Sequence, residues 1–207
     1  MPSSKAAIKQ LDALKKLGKN QRLAADGWNE DWKTLIATLM SARTTDKKTI
    51  PVAEGLFRRY DSLKKLSNAS EKSIGMTIKP VNFYKTKSRN IKKLAQILVN
   101  DYNGNVPMDF NKLIELPGVG RKTANVFLAE HNHDAIGVDT HVAYCSQKLG
   151  WTKNTNPHKI EKDLEKLFPR KYWRNLNWIV VRFGQTYTNR KIKDKILKSI
   201  KKISTDL

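Results

Sequence analysis

The stretch Leu113-Ile114-Glu115-Leu116-Pro117-Gly118-Val119-Gly120-Arg121-Lys122-Thr123-Ala124 sets a hard stop between two helices. Before it, Phe110, Leu113, Ile114 and Leu116 supply an apolar helical face, and Asp109 has the chemistry of an N-cap. Pro117-Gly118 ends that helix, because proline lacks an N–H and glycine accepts positive φ. Val119 is one apolar plug between two glycines. From Arg121 the pattern is helical again, with Ala124, Val126, Phe127 and Leu128 to bury. Such a turn aims backbone N–H groups outward at a helix N-terminus, where the helix dipole favours an anion. Arg121 and Lys122 add positive charge there, so the expected guest is a phosphate.

The rest of the chain repeats the helical period. Ile8, Leu11, Leu14 and Leu17 form one stripe. Trp28, Trp32, Leu35, Ile36 and Leu39 form a second, whose aromatics are expected to pack the core. A helix with Ala53, Leu56, Phe57 and Tyr60 follows, with Pro51 in its first turn or at a kink. Short helices are expected over 62–68 and 70–78. Residues 81–85 are expected as a loop with two exposed aromatics, and Ser88 as the start of the next helix, carrying Ile91, Leu94, Ala95 and Leu98. Beyond the glycine turn, helices carry Ala143, Cys145 and Leu149, then Ile160, Leu164, Leu167 and Phe168, then Leu176, Ile179, Val180 and Phe183. The last carries Ile192, Ile196, Ile200 and Ile203. No stretch alternates as a strand does, so the fold class is all-α.

Charge narrows the function. Lys and Arg number 40 against 19 Asp and Glu, a formal net charge of +21 over 207 residues. An excess of that size calls for a polyanionic partner, commonly nucleic acid and otherwise an anionic membrane surface. No segment has the length and apolarity of a transmembrane helix, and the N-terminus has no signal-like apolar core, so a soluble intracellular protein is expected. Cys145 is the only cysteine, which leaves no internal disulfide and suits a small core residue.

A second motif, Gly137-Val138-Asp139-Thr140-His141-Val142, lies downstream of the turn. Together with Leu-Pro-Gly-Val-Gly-Arg-Lys-Thr-Ala it resembles the helix-hairpin-helix and Gly/Pro-rich-loop-then-Asp signature of endonuclease III-like DNA glycosylases. The resemblance runs over about residues 28–188, with Leu39-Met40-Ser41-Ala42-Arg43-Thr44-Thr45-Asp46 upstream and a weaker match at Phe183-Gly184-Gln185. It implies two helical lobes with a DNA-binding cleft between them. One is a helical barrel, residues 27–133, holding the hairpin at about 109–130; the other joins 1–26 to 134–207.

The resemblance also implies roles. From the turn alone, Lys122 fits a phosphate-binding lysine, in a first turn where the dipole and Arg121 disfavour an ammonium. The family match makes it the catalytic lysine of bifunctional glycosylases, attacking the sugar of a flipped nucleotide and forming a Schiff base. Asp139 has the chemistry of an N-cap; in the family the matching aspartate faces the lysine and assists its deprotonation. His141 is expected to be structural, within a DNA-binding segment that includes Thr140. The hairpin residues Leu116, Pro117, Gly118, Val119, Gly120, Arg121 and Thr123 are expected at the DNA backbone. Arg43, where many relatives have Gln, and Phe83 match the family's DNA-probing loops.

The implied activity is base-excision repair: removal of oxidised pyrimidines from duplex DNA, followed by β-elimination at the abasic site. The enzyme is expected to act as a monomer on damaged or abasic duplex DNA, away from membranes and associated with intracellular DNA (cytoplasm or nucleoid in a prokaryote). No cofactor is required for that route, although the fold often holds a monovalent cation at the hairpin main chain. Many relatives carry four cysteines near the C-terminus for a [4Fe–4S] cluster. Here Thr188 stands at the first ligand position, so no cluster is expected and the final helix is expected to close the lobe with its isoleucine stripe. Three alternatives stand beside this reading. One is a glycosylase for another base, such as uracil or thymine opposite guanine, or 8-oxoguanine. The others are a non-catalytic hairpin DNA-binding protein and, more distantly, a basic membrane-surface protein.

Overall fold

The computed structural model describes residues 1–203, and among them every regular element is helical. The chain divides into two compact units. One is Arg22–Glu130; the other combines Met1–Gln21 with the chain from His131 onward.

In the Arg22–Glu130 unit, seven helices follow in order: α2 (Asp31–Ser41), α3 (Asp46–Arg59), α4 (Leu63–Asn68), α5 (Glu71–Thr77), α6 (Tyr84–Asp101), α7 (Phe110–Glu115) and α8 (Arg121–Glu130), the N-terminal helix α1 (Ser4–Leu17) lying in the other unit. Ser62 and Ser70 cap α4 and α5 by accepting from Lys65 N–H and Ser73 N–H, at 3.3 and 3.1 Å. Leu35, Ile36, Leu56, Leu66, Ile74, Ile91, Leu94, Leu98, Leu113 and Phe127 are wholly buried. Each such side chain contributes on the order of 1.5–3 kcal/mol by leaving water, and α6 gathers α4 and α5 against its apolar stripe.

Several local expectations are corrected. Trp28 precedes α2 rather than belonging to it: its indole N–H donates to Ala24 O at 2.7 Å, and its ring meets Phe57 edge-on at 4.9 Å, as Trp32 does at 5.3 Å. Helix α6 begins at Tyr84, four residues before Ser88, because Phe83 turns the chain with φ 59° and leaves Tyr84 half-buried in the first turn. Ile114 is 42% exposed, since the buried side of the six-residue α7 is too narrow to include it beside Leu113. Pro51 sits inside α3, past its first turn.

The other unit comprises α1, α9 (Thr140–Leu149), α10 (Pro157–Leu167), α11 (Trp173–Thr186) and α12 (Arg190–Lys201), with a 3-10 turn at Arg170–Tyr172. Its core is Leu11, Leu14, Val142, Cys145, Leu149, Trp151, Ile160, Leu164, Phe168, Leu176, Val180, Phe183 and Leu197. Trp151, which periodicity passes over because it follows the end of α9, is fully buried and donates to Gln10 Oε1 at 2.7 Å. The isoleucine stripe of α12 does not close the unit as a stripe. Leu197 and Ile200 are buried, Ile196 and Ile203 only partly, and Ile192 is 53% exposed. A polar tie helps instead: Asp194 of α12 accepts from Tyr144 Oη and, at 3.0 Å, from Lys148 Nζ, both on α9. The hydrogen bonds from Tyr144 and then Lys148 hold the Asp194 carboxyl below its usual range.

Candidate active site

The hairpin is built as its sequence demands. Asp109 caps α7 by accepting from Lys112 N–H at 2.9 Å. Leu116 and Val119 are buried, and Val119 N–H closes the turn onto Leu116 O at 3.0 Å. Gly118 has φ 80°. Helix α8 opens with Ala124 N–H bonded to Gly120 O at 3.0 Å, so its first-turn N–H groups point out of the helix end, where an anion is favoured. Arg121 places its guanidinium 4.7 Å over the Phe110 ring, so it packs α7 to α8 as well as supplying charge. Lys122 is half-buried. Leu116, Val119 and Thr123 are only 4–5% exposed, so their side chains are turned into the fold. Pro117 is half-buried, and Gly118 and Gly120 are exposed at the turn.

Arg43 and Phe83, far apart in sequence, come together. Both are exposed and both have positive φ, 56° and 59°. Among the described residues the other non-glycine residues in that region are Asn103 and Asn132, a type that tolerates it, whereas a bulky side chain there carries strain. The Arg43 guanidinium lies 4.7 Å over the Phe83 ring. Asn82 ties the two turns together, donating Nδ2–H to Arg43 O at 2.5 Å and N–H to Thr44 Oγ1 at 3.1 Å.

Lys87 is a residue that sequence reasoning missed. It is 6% exposed and donates to Met40 O, Ala42 O and Thr44 Oγ1 at 2.6, 2.7 and 3.2 Å. Burial, and then the charge of Lys122, pull its pKa down to about 8. In a chain with 40 Lys and Arg, no signal in the sequence separates this lysine from solvated ones.

In the other unit, Asp139 caps α9, its Oδ1 accepting from Val142 N–H at 2.8 Å. The segment before it is held from α11, where the buried Asn177 donates Nδ2–H to Gly137 O at 2.7 Å. Thr140 is exposed and His141 half-buried. The His141 ring lies against Gly184 so closely that a Cβ on Gly184 would overlap it. That contact sets the Phe183-Gly184 segment of α11 against the helix that Asp139 caps.

Among the described residues no group of three or more His, Cys, Asp and Glu side chains is placed to hold a metal ion. An iron–sulfur cluster ordinarily takes four thiolates. The sequence has one cysteine, and burial of Cys145 pushes its thiol up to about 12. Among the described residues, no helix is long and apolar enough to cross a membrane.

The helix-hairpin-helix, the capped Asp139 helix and the all-helical scaffold define a class, and residues 36–170 match the family described as HhH-GPD superfamily base excision DNA repair protein. The chain is 38% identical over 157 residues to endonuclease III of Thermotoga maritima, covering 75% of this chain and 74% of that protein. It is 39% identical over 153 residues to endonuclease III of Synechocystis sp., covering 73% and 70%. A solved structure of a trapped endonuclease III–DNA covalent intermediate is similar with a TM-score of 0.84 and 31% identity, covering 92% of this chain and 90% of that one. The chain therefore belongs to the HhH-GPD superfamily of base excision DNA repair proteins and, within it, to the endonuclease III family. That membership places it among the DNA glycosylases and AP lyases of base excision repair.

Proposed function

We propose that this chain excises oxidised pyrimidines from duplex DNA and cuts the resulting strand by β-elimination, with Lys122 as nucleophile and Asp139 as its acid–base partner. The observation that carries the reading is Lys122 itself: a half-buried lysine at the opening of α8, beside a glycine turn suited to a phosphate. A similar solved structure is a trapped covalent endonuclease III–DNA intermediate, which supports a covalent route to DNA in this fold.

The Lys122 Nζ lone pair attacks C1′ of a nucleotide flipped from the stack. The C1′–base bond breaks, the base leaves with the electron pair and is protonated, and the sugar ring opens to an imine on Nζ. Loss of a C2′ proton then expels the 3′ phosphate. Asp139, carboxylate oxygen toward its own helix N-terminus, accepts the proton from the lysine ammonium and offsets positive charge at C1′. Hairpin N–H groups, Arg121, Thr140 and His141 hold the DNA backbone, with or without a monovalent cation at the turn. None of these steps needs a cofactor, and we infer that the chain carries no iron–sulfur cluster. Its substrate is intracellular DNA.

The test is a panel of duplexes, each with one oxidised pyrimidine, uracil, mispaired thymine or 8-oxoguanine, assayed for base release and strand cutting. Release and cutting confined mainly to the oxidised pyrimidines is expected. Preference for another base would replace the substrate while keeping the class, and binding without either reaction would leave a non-catalytic hairpin protein.

A further inference from the structure

Lys87 has no evident reason to be a lysine if its task is to fill space. It is 6% exposed, and its Nζ is surrounded by neutral oxygens, with no carboxylate among its hydrogen-bond partners. Burying an ammonium in that setting is costly unless its donors are all used. They are used on one feature. Met40 O and Ala42 O precede Arg43 and Thr44 Oγ1 follows it, so the three bonds bracket the residue with φ 56°. The backbone of Lys87 meets the other turn: its N–H donates to Phe83 O at 3.0 Å, the carbonyl of the residue with φ 59°. Thr44 Oγ1 is shared, since it also accepts from Asn82 N–H at 3.1 Å.

We propose that Lys87 is a positioning residue: its ammonium clamps the turn carrying Arg43 to the turn carrying Phe83, so that the stacked pair meets duplex DNA as one preset wedge. This rests on reading Arg43 and Phe83 as the residues that enter the duplex when a base is flipped. Two bulky side chains in left-handed backbone would relax without an outside constraint, and the clamp supplies it. A wedge ordered in advance loses less entropy on binding than two independent loops. At neutral pH a lysine titrating at about 8 still carries mainly the three protons that its three acceptors use. Its own Nζ is thereby turned into the fold, which leaves attack on a sugar to Lys122.

Lys87→Met removes the donors and keeps the length. Thr44→Val removes only the shared oxygen and guards against a Lys87→Met chain that does not fold. Hydrogen exchange is read over residues 41–46 and 81–87, and cleavage is read on abasic duplex and abasic single strand, in wild type and in an Arg43→Ala/Phe83→Ala background. Faster exchange confined to those two segments is expected. Duplex cleavage should fall by about 10–100-fold, the scale of a small misplacement, with single-strand cleavage nearly unchanged and little further loss in the Arg43→Ala/Phe83→Ala background. Unchanged exchange in both segments would overturn the clamp. So would exchange raised throughout the unit with equal loss on both substrates, because that marks a core residue. If Arg43→Ala/Phe83→Ala cuts duplex like wild type, the probing reading fails by itself, and the exchange measurement still decides whether Lys87 holds the turns.

Discussion

Gly118 lies directly beneath Asn90: a Cβ on Gly118 would sit 2.7 Å from Asn90 Nδ2, 2.9 Å from Asn90 Cβ and 2.9 Å from Leu39 Cδ1. The hairpin turn is thus fitted against α6 and α2 at a residue with φ 80°. Gly118→Ala combines a disfavoured backbone with three contacts closer than real Cβ atoms make. A loss of about 1–3 kcal/mol is expected in denaturant unfolding, with weaker binding to duplex DNA. Wild-type stability in this variant would mean that Asn90 does not confine the turn.

Lys87 gives a pH dependence with a defined sign. Its folded pKa, about 8, is below its ordinary value of 10.5, so between these values the unfolded chain binds more protons and stability rises with pH. Lys122 is the charged neighbour that contributes after burial. Relative to Lys87→Met, which cannot titrate, wild type should gain about 2 kcal/mol between pH 7 and pH 10. Parallel stability–pH curves for the two proteins would contradict this.

The all-α class was legible because apolar residues recur at helical spacing throughout, and the hairpin because Pro117 and Gly118 act locally on the backbone. The N-caps Asp109 and Asp139 were legible for the same reason: each bonds an N–H three residues on. Periodicity misplaced Trp28, which faces Phe57 from outside a helix, and Tyr84, whose helix start is set by a positive φ at a phenylalanine. It also could not rank the four isoleucines from Ile192 to Ile203, because their burial depends on how α12 packs. The support for the site was least legible. Lys87, Asn82, Asn90 and Asn177 act through partners distant in sequence, and their residue types are common on solvated surfaces.

Asp139→Asn separates capping from chemistry. Asn caps helices about as well as Asp, so the variant should fold with a loss of only tenths of a kcal/mol, roughly the difference between these two caps. Base release should nevertheless fall by orders of magnitude, since the amide cannot take a proton from Lys122. Near-wild-type turnover in single-turnover base release would leave Asp139 as a cap for Val142 N–H alone.

Protein purified anaerobically should be colourless and free of iron, because this chain offers one thiol, buried in its core, where a cluster ordinarily needs four. Metal analysis together with a visible absorption spectrum checks this. Stoichiometric iron with cluster absorption would show that non-cysteine ligands serve.

The central claim is that Lys122 makes the covalent bond to DNA, and borohydride trapping on abasic duplex measures it most directly. Wild type should yield a stable protein–DNA adduct whose cross-linked peptide contains Lys122. Lys122→Ala should bind the same duplex, as followed by anisotropy, without forming an adduct. An adduct of undiminished yield in Lys122→Ala, or one mapped to another lysine in wild type, would contradict the claim.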